Sequence, residues 1–325
     1  MVLLATNFGL LRKKNNTFSF RPTTFIIHSL FFAFMDTKED SCFVCNNRDY
    51  KTIAAKDAPM RCCNHCGSMW QLDLKHEIAY KEIYDEDYYR KIWGYSQETD
   101  HLVARSKWHV SKKFIALLHR YKKGGTVLEI GCGLGYLLSL LQKDSFCYDV
   151  YGIELSSFAK NVSEGRVGKG RIFSSFIDVR KKHLKCDALL FFDSLEHIPD
   201  QEQLFTDIDL ILKKDGVVLV IMPDCGSWIS TIMGRYWIEY KKDHVLFYNK
   251  KSFALHLEEK GYRLLLCRST WKTVTIYYLI SYLSVFRIPV LSSFFEMVGK
   301  ILPSFILNIP ISLPIGQMVA VFVRK

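Results

Sequence analysis

From about residue 105 onward, short apolar runs alternate with helical patterns, which predicts a parallel β-sheet covered by helices. Thr126–Ile130, Tyr148–Ile153, Arg171–Phe173, Ala188–Phe192, Val217–Met222 and Tyr262–Cys267 read as strands, and Met318–Val323 as a last one. Helical patterns separate them at Tyr136–Gln142, Ser156–Ser163, Gln201–Lys213 and Ser252–Lys260, with Gly261 where the last helix needs a C-cap. Thr273 to Leu313 is more apolar than anything before it, but Pro289, Pro303 and Pro310 interrupt it. No unbroken span of bilayer length remains, so two or three short helices between the sixth and seventh strands are expected. The pattern divides the chain into a basic apolar arm (1–35), a cysteine module (40–72), a tyrosine-rich linker (73–104) and an α/β domain (105–325) with an insertion at about 273–313.

Composition changes this picture only in places. An apolar fraction of 49% and a charged fraction of 24% over 325 residues are those of a globular protein with a real core. The net charge of +11 is uneven: His101 to Gly125 holds seven Lys and Arg and no acid. That favours an anionic partner, a phosphorylated substrate or an acidic membrane surface, over nucleic acid; the alternative is a solvated helix face. Of ten cysteines, five lie singly among apolar runs, as reduced buried thiols do, which points to a reducing cytosolic compartment, with a membrane-peripheral position as the variant. The arm contains Thr24 to Met35, apolar but too short to span a bilayer. It is either a reading upstream of a true start at Met35 or an amphipathic or targeting arm.

The strongest chemical signal is Glu129-Ile130-Gly131-Cys132-Gly133-Leu134-Gly135, at the junction of the first strand and first helix. Glycines there let the backbone turn and approach a ligand closely. A nicotinamide fingerprint would want glycine at 136, where this chain has Tyr136, and the third glycine comes one position early. Glu154 ends the second strand, placed to accept hydrogen bonds from ribose hydroxyls. Asp187 to Asp200 reads as a buried strand emptying polar groups at its carboxyl end, and Leu210 to Asp224 as a helix end, a Lys-Lys-Asp-Gly turn and a strand.

In order and spacing these segments resemble motifs I, II, IV and post-IV of class I S-adenosylmethionine-dependent methyltransferases, and methyltransferase domain family 23 among them. The resemblance implies a Rossmann-like sheet, mostly parallel with an antiparallel last strand. It also implies S-adenosyl-L-methionine as cofactor, held by Glu129, Gly131, Cys132, Gly133, Gly135, Glu154, Asp193 and Ser194. Asp193-x-x-Glu196-His197 is similar to the Glu-x-x-Glu-His of ubiquinone-pathway O-methyltransferases. It leaves three readings open: His197 as general base beside Glu196, a divalent ion held with Asp193, or a loop merely shaped by the pair. Gly234-Arg235-Tyr236-Trp237 followed by His244 and Tyr248 resembles a subfamily attached to polysaccharide and lipid biosynthesis. There Trp237 and His244 sit over the acceptor; the alternatives are a packing lid and a helix-cap partner.

Cys42-x-x-Cys45 and Cys63-x-x-Cys66 form two tight knuckles whose thiolates can close a tetrahedral structural zinc site, against free or redox thiols. Ribbons of this kind precede the methyltransferase domain in some sugar-modifying enzymes, which the arrangement resembles. The linker, with Tyr84, Tyr88, Tyr89 and Tyr95, either folds over the cofactor or stays solvated. The tail at 273–313 either lies on a membrane or clamps a lipid-linked acceptor, or it caps the core or a dimer. The expected function is methyl transfer to a sugar, nucleotide-sugar or lipid-linked glycan, on a small-molecule or glycolipid acceptor. A quinone or small-phenol O-methyltransferase is the enzymatic alternative, and a non-catalytic module recruiting nucleic acid the other.

Overall fold

The computed structural model describes residues 41–55, 59–72, 84–284 and 289–325. The arm expected at 1–35 lies outside them, as does the first part of the linker. Seven strands form the main sheet: β4 (Gly125–Ile130), β5 (Tyr148–Ile153), β6 (Ile172–Phe173), β7 (Cys186–Phe192), β8 (Leu212–Pro223), β10 (Tyr262–Thr275) and β11 (Pro310–Arg324). Their order is β10-β11-β8-β7-β4-β5-β6. β4 runs parallel to β5 and β7, and β7 to β8, while β11 is antiparallel to both neighbours. This is the Rossmann-like sheet with a reversed last strand. Val127, Leu128, Leu189 and Leu190 are fully buried because helices cover both faces, and such strands read as continuous apolar runs.

Most of the helices on these faces start at side-chain caps. They are α3 (Tyr136–Gln142), α4 (Ser157–Val167), α5 (Phe176–Lys181), α6 (Gln201–Ile211) and α8 (Lys250–Glu259). Ser156, Ser175, Asp200 and Asn249 accept from backbone amides at the starts of α4, α5, α6 and α8. Two further helices, α1 (Glu86–Ile92) and α2 (Asp100–Tyr121), precede the sheet, and α7 (Trp228–Met233) follows β8. Gly261, at φ +79°, ends α8 as its position suggested.

Two boundaries differ from the pattern. The Lys213-Lys214-Asp215-Gly216 segment lies inside β8, where the pairing slips between Cys186↔Leu212 and Ala188↔Val217. Its extra residues bulge out, anchored by Lys213 Nζ on Asp187 at 2.8 Å. β10 and β11 also run well past the apolar runs that announced them, pairing Lys272–Thr275 with Pro310–Leu313. Pro310 starts its strand and Pro314 falls in a register shift, the two places where a sheet tolerates proline. Between them stand α9 (Ile276–Ser284), α10 (Pro289–Ile301) and α11 (Ser304–Leu307). No helix among the described residues is long and apolar enough to cross a membrane.

A second sheet has the order β1-β2-β3-β9, from β1 (Tyr50–Ile53), β2 (Met60–Cys63), β3 (Met69–Gln71) and β9 (Leu246–Phe247). Its last strand thus comes from the far end of the chain, with Met69 opposite Phe247 and Trp70 opposite Leu246. Residues 41–325 form one compact unit.

Candidate active site

The loop after β4 turns through left-handed backbone at Gly131 (φ +74°) and Gly133 (φ +53°). A Cβ on Gly131 would lie 2.8 Å from the Ser194 side chain, and one on Gly133 2.9 Å from the Trp93 ring. Glycine is therefore required by space as well as by torsion. Glu154 accepts from Gly133 N and from Ser156 N, both at 2.8 Å, and burial raises its pKa. Glu129 is 4% exposed, with one carboxylate oxygen unpartnered. Burial raises its pKa well above the ordinary carboxylate range, with Glu154 adding to the effect and Lys107 opposing it.

The loop opens into a cavity of about 910 Å³ that reaches from Gly131–Gly133 to His197 and His244. The linker folds over it: Tyr84, Tyr88, Tyr89 and Trp93 form part of the wall. Lys107, from the basic helix α2, also enters it, with Nζ 3.4 Å from the centre of the Trp93 ring. Desolvation and the neighbouring Lys272 bring Lys107 down to about 7, against the pull of Asp193 and Glu129. A buried carboxyl and a desolvated amine beside one glycine loop suit a zwitterion: an ammonium against Glu129 and a carboxylate against Lys107. The cofactor implied by the motif carries both groups, and the glycine cradle leaves room for it. Lys107 and Trp93 had no signature in the sequence beyond a basic stretch and an aromatic linker.

Asp193 sits at φ +51°, an uncommon conformation for a side-chain-bearing residue. Its carboxylate accepts from Lys272 Nζ at 2.6 Å and Gln317 Nε2 at 2.5 Å. Burial opposes the charge on Lys272, but Asp193 and Glu239 outweigh it and hold Lys272 protonated. With both oxygens bound, Asp193 does not join Glu196 and His197 as an ion-holding triad. The donors that converge within 4.8 Å are Glu196, His197 and His244. Ser194 and Cys132 line the cavity as expected of cofactor contacts, and Gly135 (φ +77°) packs on Ser163.

Glu196, expected beside His197 as part of the catalytic pair, is buried behind the cavity wall. It is 1% exposed, both its carboxylate oxygens lack a partner, and it is not part of the cavity wall. Its carboxylate nonetheless lies within 4.8 Å of His197 and His244, which do line the cavity. Burial, then Asp193, raise its pKa well above normal, which favours the neutral acid in the folded chain. The stability this allows is fully present below the unfolded carboxyl value and is lost as pH rises toward the folded one. Glu196→Gln, neutral at every pH, is therefore expected to come close to the parent near pH 4 and to melt roughly 2–4 °C higher near pH 8. Thermal scans at both pH values check this, and a gap that does not widen with pH would exclude it.

His197 does line the cavity. Its Nδ1 lies 2.6 Å from the Asp243 carbonyl oxygen, which can only accept, so Nδ1 carries a proton and the lone pair of the neutral ring falls to Nε2. Tyr84 donates its hydroxyl proton to Asp243 Oδ2 at 3.0 Å and stands 3.1 Å from the same Nδ1. His244 meets His197 edge to face, ring centres 4.7 Å apart. It is 3% exposed, and burial followed by Lys241 pushes its pKa well below normal, so it is neutral. Trp237 is a wall residue held structurally: its Nε1 donates to the Ile315 carbonyl at 2.9 Å, and its ring packs on Tyr240 and Phe247.

In the second sheet the sulfurs of Cys42, Cys45, Cys63 and Cys66 all lie within 4.8 Å of one another. Cys42 and Cys66 sulfurs are 3.5 Å apart, Cys45 and Cys63 3.6 Å. The Val44 amide and the Ser68 hydroxyl contact the Cys42 sulfur, as the outer shell of a thiolate cluster does. Four thiols in this arrangement could hold a tetrahedral ion. Cys62, on the other face of β2, is packed with Cys225, Trp237 and Phe247 instead.

The sheet order, the glycine cradle and the acid at the tip of β5 are those of the class I S-adenosylmethionine-dependent methyltransferase fold. Residues 106–266 form the chain's methyltransferase domain and match the family model of that description. Over 122 residues the chain is 33% identical to phosphoethanolamine N-methyltransferase 2 of Caenorhabditis elegans, covering 34% of this chain and 26% of that protein. Over 155 residues it is 23% identical to the ubiquinone biosynthesis O-methyltransferase of Coxiella burnetii, covering 44% and 65%. The chain thus spans about a quarter and just under two thirds of these relatives. Among solved structures, a SAM-dependent methyltransferase from Archaeoglobus fulgidus matches at 19% identity and TM-score 0.43, over 68% of this chain and 95% of that one.

Proposed function

We propose that the chain methylates a hydroxyl of a small, planar or amphiphilic acceptor, with His197 as general base. The observation that supports this is the 2.6 Å contact of His197 Nδ1 with the Asp243 carbonyl in the cavity wall, which assigns the basic lone pair of the neutral ring to Nε2. The cofactor supplies an electrophilic methyl group, so the chain's task is alignment of the acceptor and removal of its proton. Glu129 and Lys107 take the two charges of the cofactor's amino-acid end, and Glu154 takes its ribose. Tyr84 and Asp243 keep His197 facing the acceptor. An oxygen acceptor agrees with the O-methyltransferase relative, and neither named relative acts on a glycan. That moves the reading from a sugar toward the quinone- or phenol-like alternative. Calorimetry with S-adenosylhomocysteine, followed by labelled-methyl transfer into cell-extract fractions, tests it. Absence of product binding defeats the cofactor assignment, and label found only on nitrogen or in glycan defeats the acceptor.

The rim of the cavity supports contact with a lipid surface. Trp228, Ile232 and Tyr236 of the α7 region are each more than half exposed, and Met233 and Tyr236 line the cavity. Phe294, Met297 and Ile301 make an exposed stripe on α10, and Phe305 follows on α11. Arg235 and Lys300, next in sequence to Tyr236 and Ile301, add positive charge beside these apolar groups. Binding to vesicles containing anionic phospholipid, lost in a doubly substituted Ile232→Glu, Ile301→Glu chain, is the expected outcome. Unchanged vesicle binding, or a dimer broken by the same substitutions, would count against it.

Zinc is proposed for the four-cysteine cluster, as a structural ion.

A further inference from the structure

The cysteine module and the acceptor loop meet at one side chain, Gln71, the last residue of β3. It is 5% exposed. Its backbone N–H donates to the Val245 carbonyl at 2.9 Å. Its side-chain Nε2 donates to the Lys242 carbonyl at 2.9 Å and the His244 carbonyl at 3.1 Å, with the Lys241 carbonyl at 3.4 Å. A primary amide has two N–H donors and both are used here. The carbonyls of the loop around residue 243 are thus gathered on one side, toward Gln71. The exception is Asp243, whose carbonyl accepts the His197 Nδ1 proton.

The geometry points to Gln71 as a positioning residue for His197. By holding the carbonyls of Lys242 and His244, it directs that of Asp243 at the imidazole and so selects the tautomer with a free Nε2. Gln71 is in turn fixed from the thiol cluster. β3 follows directly on the second knuckle, and Asn249 Nδ2 donates to the Cys66 carbonyl at 2.8 Å. Cys225 Sγ donates to the Gly67 carbonyl at 3.4 Å. A Cβ on Gly67 would lie 2.8 Å from the Asn249 amide, so the knuckle and the start of α8 are in close contact. The module is therefore part of the acceptor site, acting through a hydrogen-bond relay from knuckle to β3 to loop to imidazole. The inference rests on reading His197 as the base, but its test reads the imidazole itself and needs no acceptor.

Nitrogen-15 NMR of the histidine rings in the full chain reports the tautomer directly. The parent is expected to show His197 protonated at Nδ1 alone when neutral. Gln71→Met, which keeps the bulk and removes both donors, is expected to give a tautomer mixture while S-adenosylhomocysteine affinity stays within about twofold. Gln71→Glu, isosteric and without N–H, should do the same. An unchanged His197 spectrum in either folded variant overturns the proposal. Should neither variant fold, hydrogen exchange of the parent decides: the Gln71 side-chain amide should be protected along with the Val245 amide. Rapid exchange of the side-chain amide overturns the proposal equally. Lost methyl transfer with an unchanged tautomer would instead count against Gln71 alone and leave the role of His197 standing.

Discussion

His197→Ala is expected to lower methyl transfer by roughly 10²–10⁴-fold, the range of a positioned general base, while S-adenosylhomocysteine binds as before. The separation of the two effects follows from the layout of the cavity. The groups proposed to face the cofactor come from the ends of β4 and β5 and from α2, whereas His197 stands at the end of β7 among Tyr84, Asp243 and His244. His197→Gln is the sharper comparison, because its amide can still donate to the Asp243 carbonyl but has no basic lone pair. Single-turnover rates with a labelled cofactor, beside calorimetric affinities for the product, give both quantities. Full turnover in either variant removes the base assignment. A matched fall in product affinity would mean the loop had collapsed instead.

The second large effect is expected at the cysteine cluster. Metal analysis of the purified chain should find about one zinc per molecule. Cys63→Ser should lose it and lower the melting temperature by roughly 10 °C or more, since a structural ion contributes folding free energy outright. The consequence should extend beyond the ribbon. Leu246 and Phe247 pair with Trp70 and Met69, so loosening β3 removes the partner of β9 and with it the seat of the acceptor loop. Hydrogen exchange in residues 241–247 should accelerate together with that in residues 60–71. A metal-free chain with the parent's melting temperature would defeat the zinc proposal and its link to the loop.

Burial also gives cofactor binding a pH dependence. In the proposed site the ammonium of the ligand would bind the ionised form of Glu129, whose pKa is raised, and its carboxylate the protonated form of Lys107, near 7. Affinity should therefore rise with pH as Glu129 ionises and fall once Lys107 loses its proton. Calorimetry across pH 5 to 9 tests this, and Lys107→Met should abolish the fall on the alkaline side. A flat profile in the parent would separate these groups from the ligand.

What the sequence determined by itself is what neighbours along the chain decide. Gly131, Gly133 and Gly135 need positive φ in a strand-to-helix turn, Glu154 follows the second strand directly, and the two Cys-x-x-Cys knuckles close over four residues each. Strands buried on both faces declare themselves as apolar runs, so the strands were legible one by one, while the reversal of the last was implied only by the family resemblance. Contacts made across the fold leave no such trace. Gln71 reaches carbonyls 171 and 173 residues away. Asp193 is bound by Lys272 and Gln317, from two strands that are remote until the sheet closes. Glu196 and His197, adjacent in sequence on the short 3₁₀ turn Leu195–His197, converge with His244 from a distant loop, and only His197 and His244 of the three line the cavity. Local geometry thus determined where a cofactor binds; only tertiary packing decided which of the polar groups beside it are buried, spent on partners, or free to meet an acceptor.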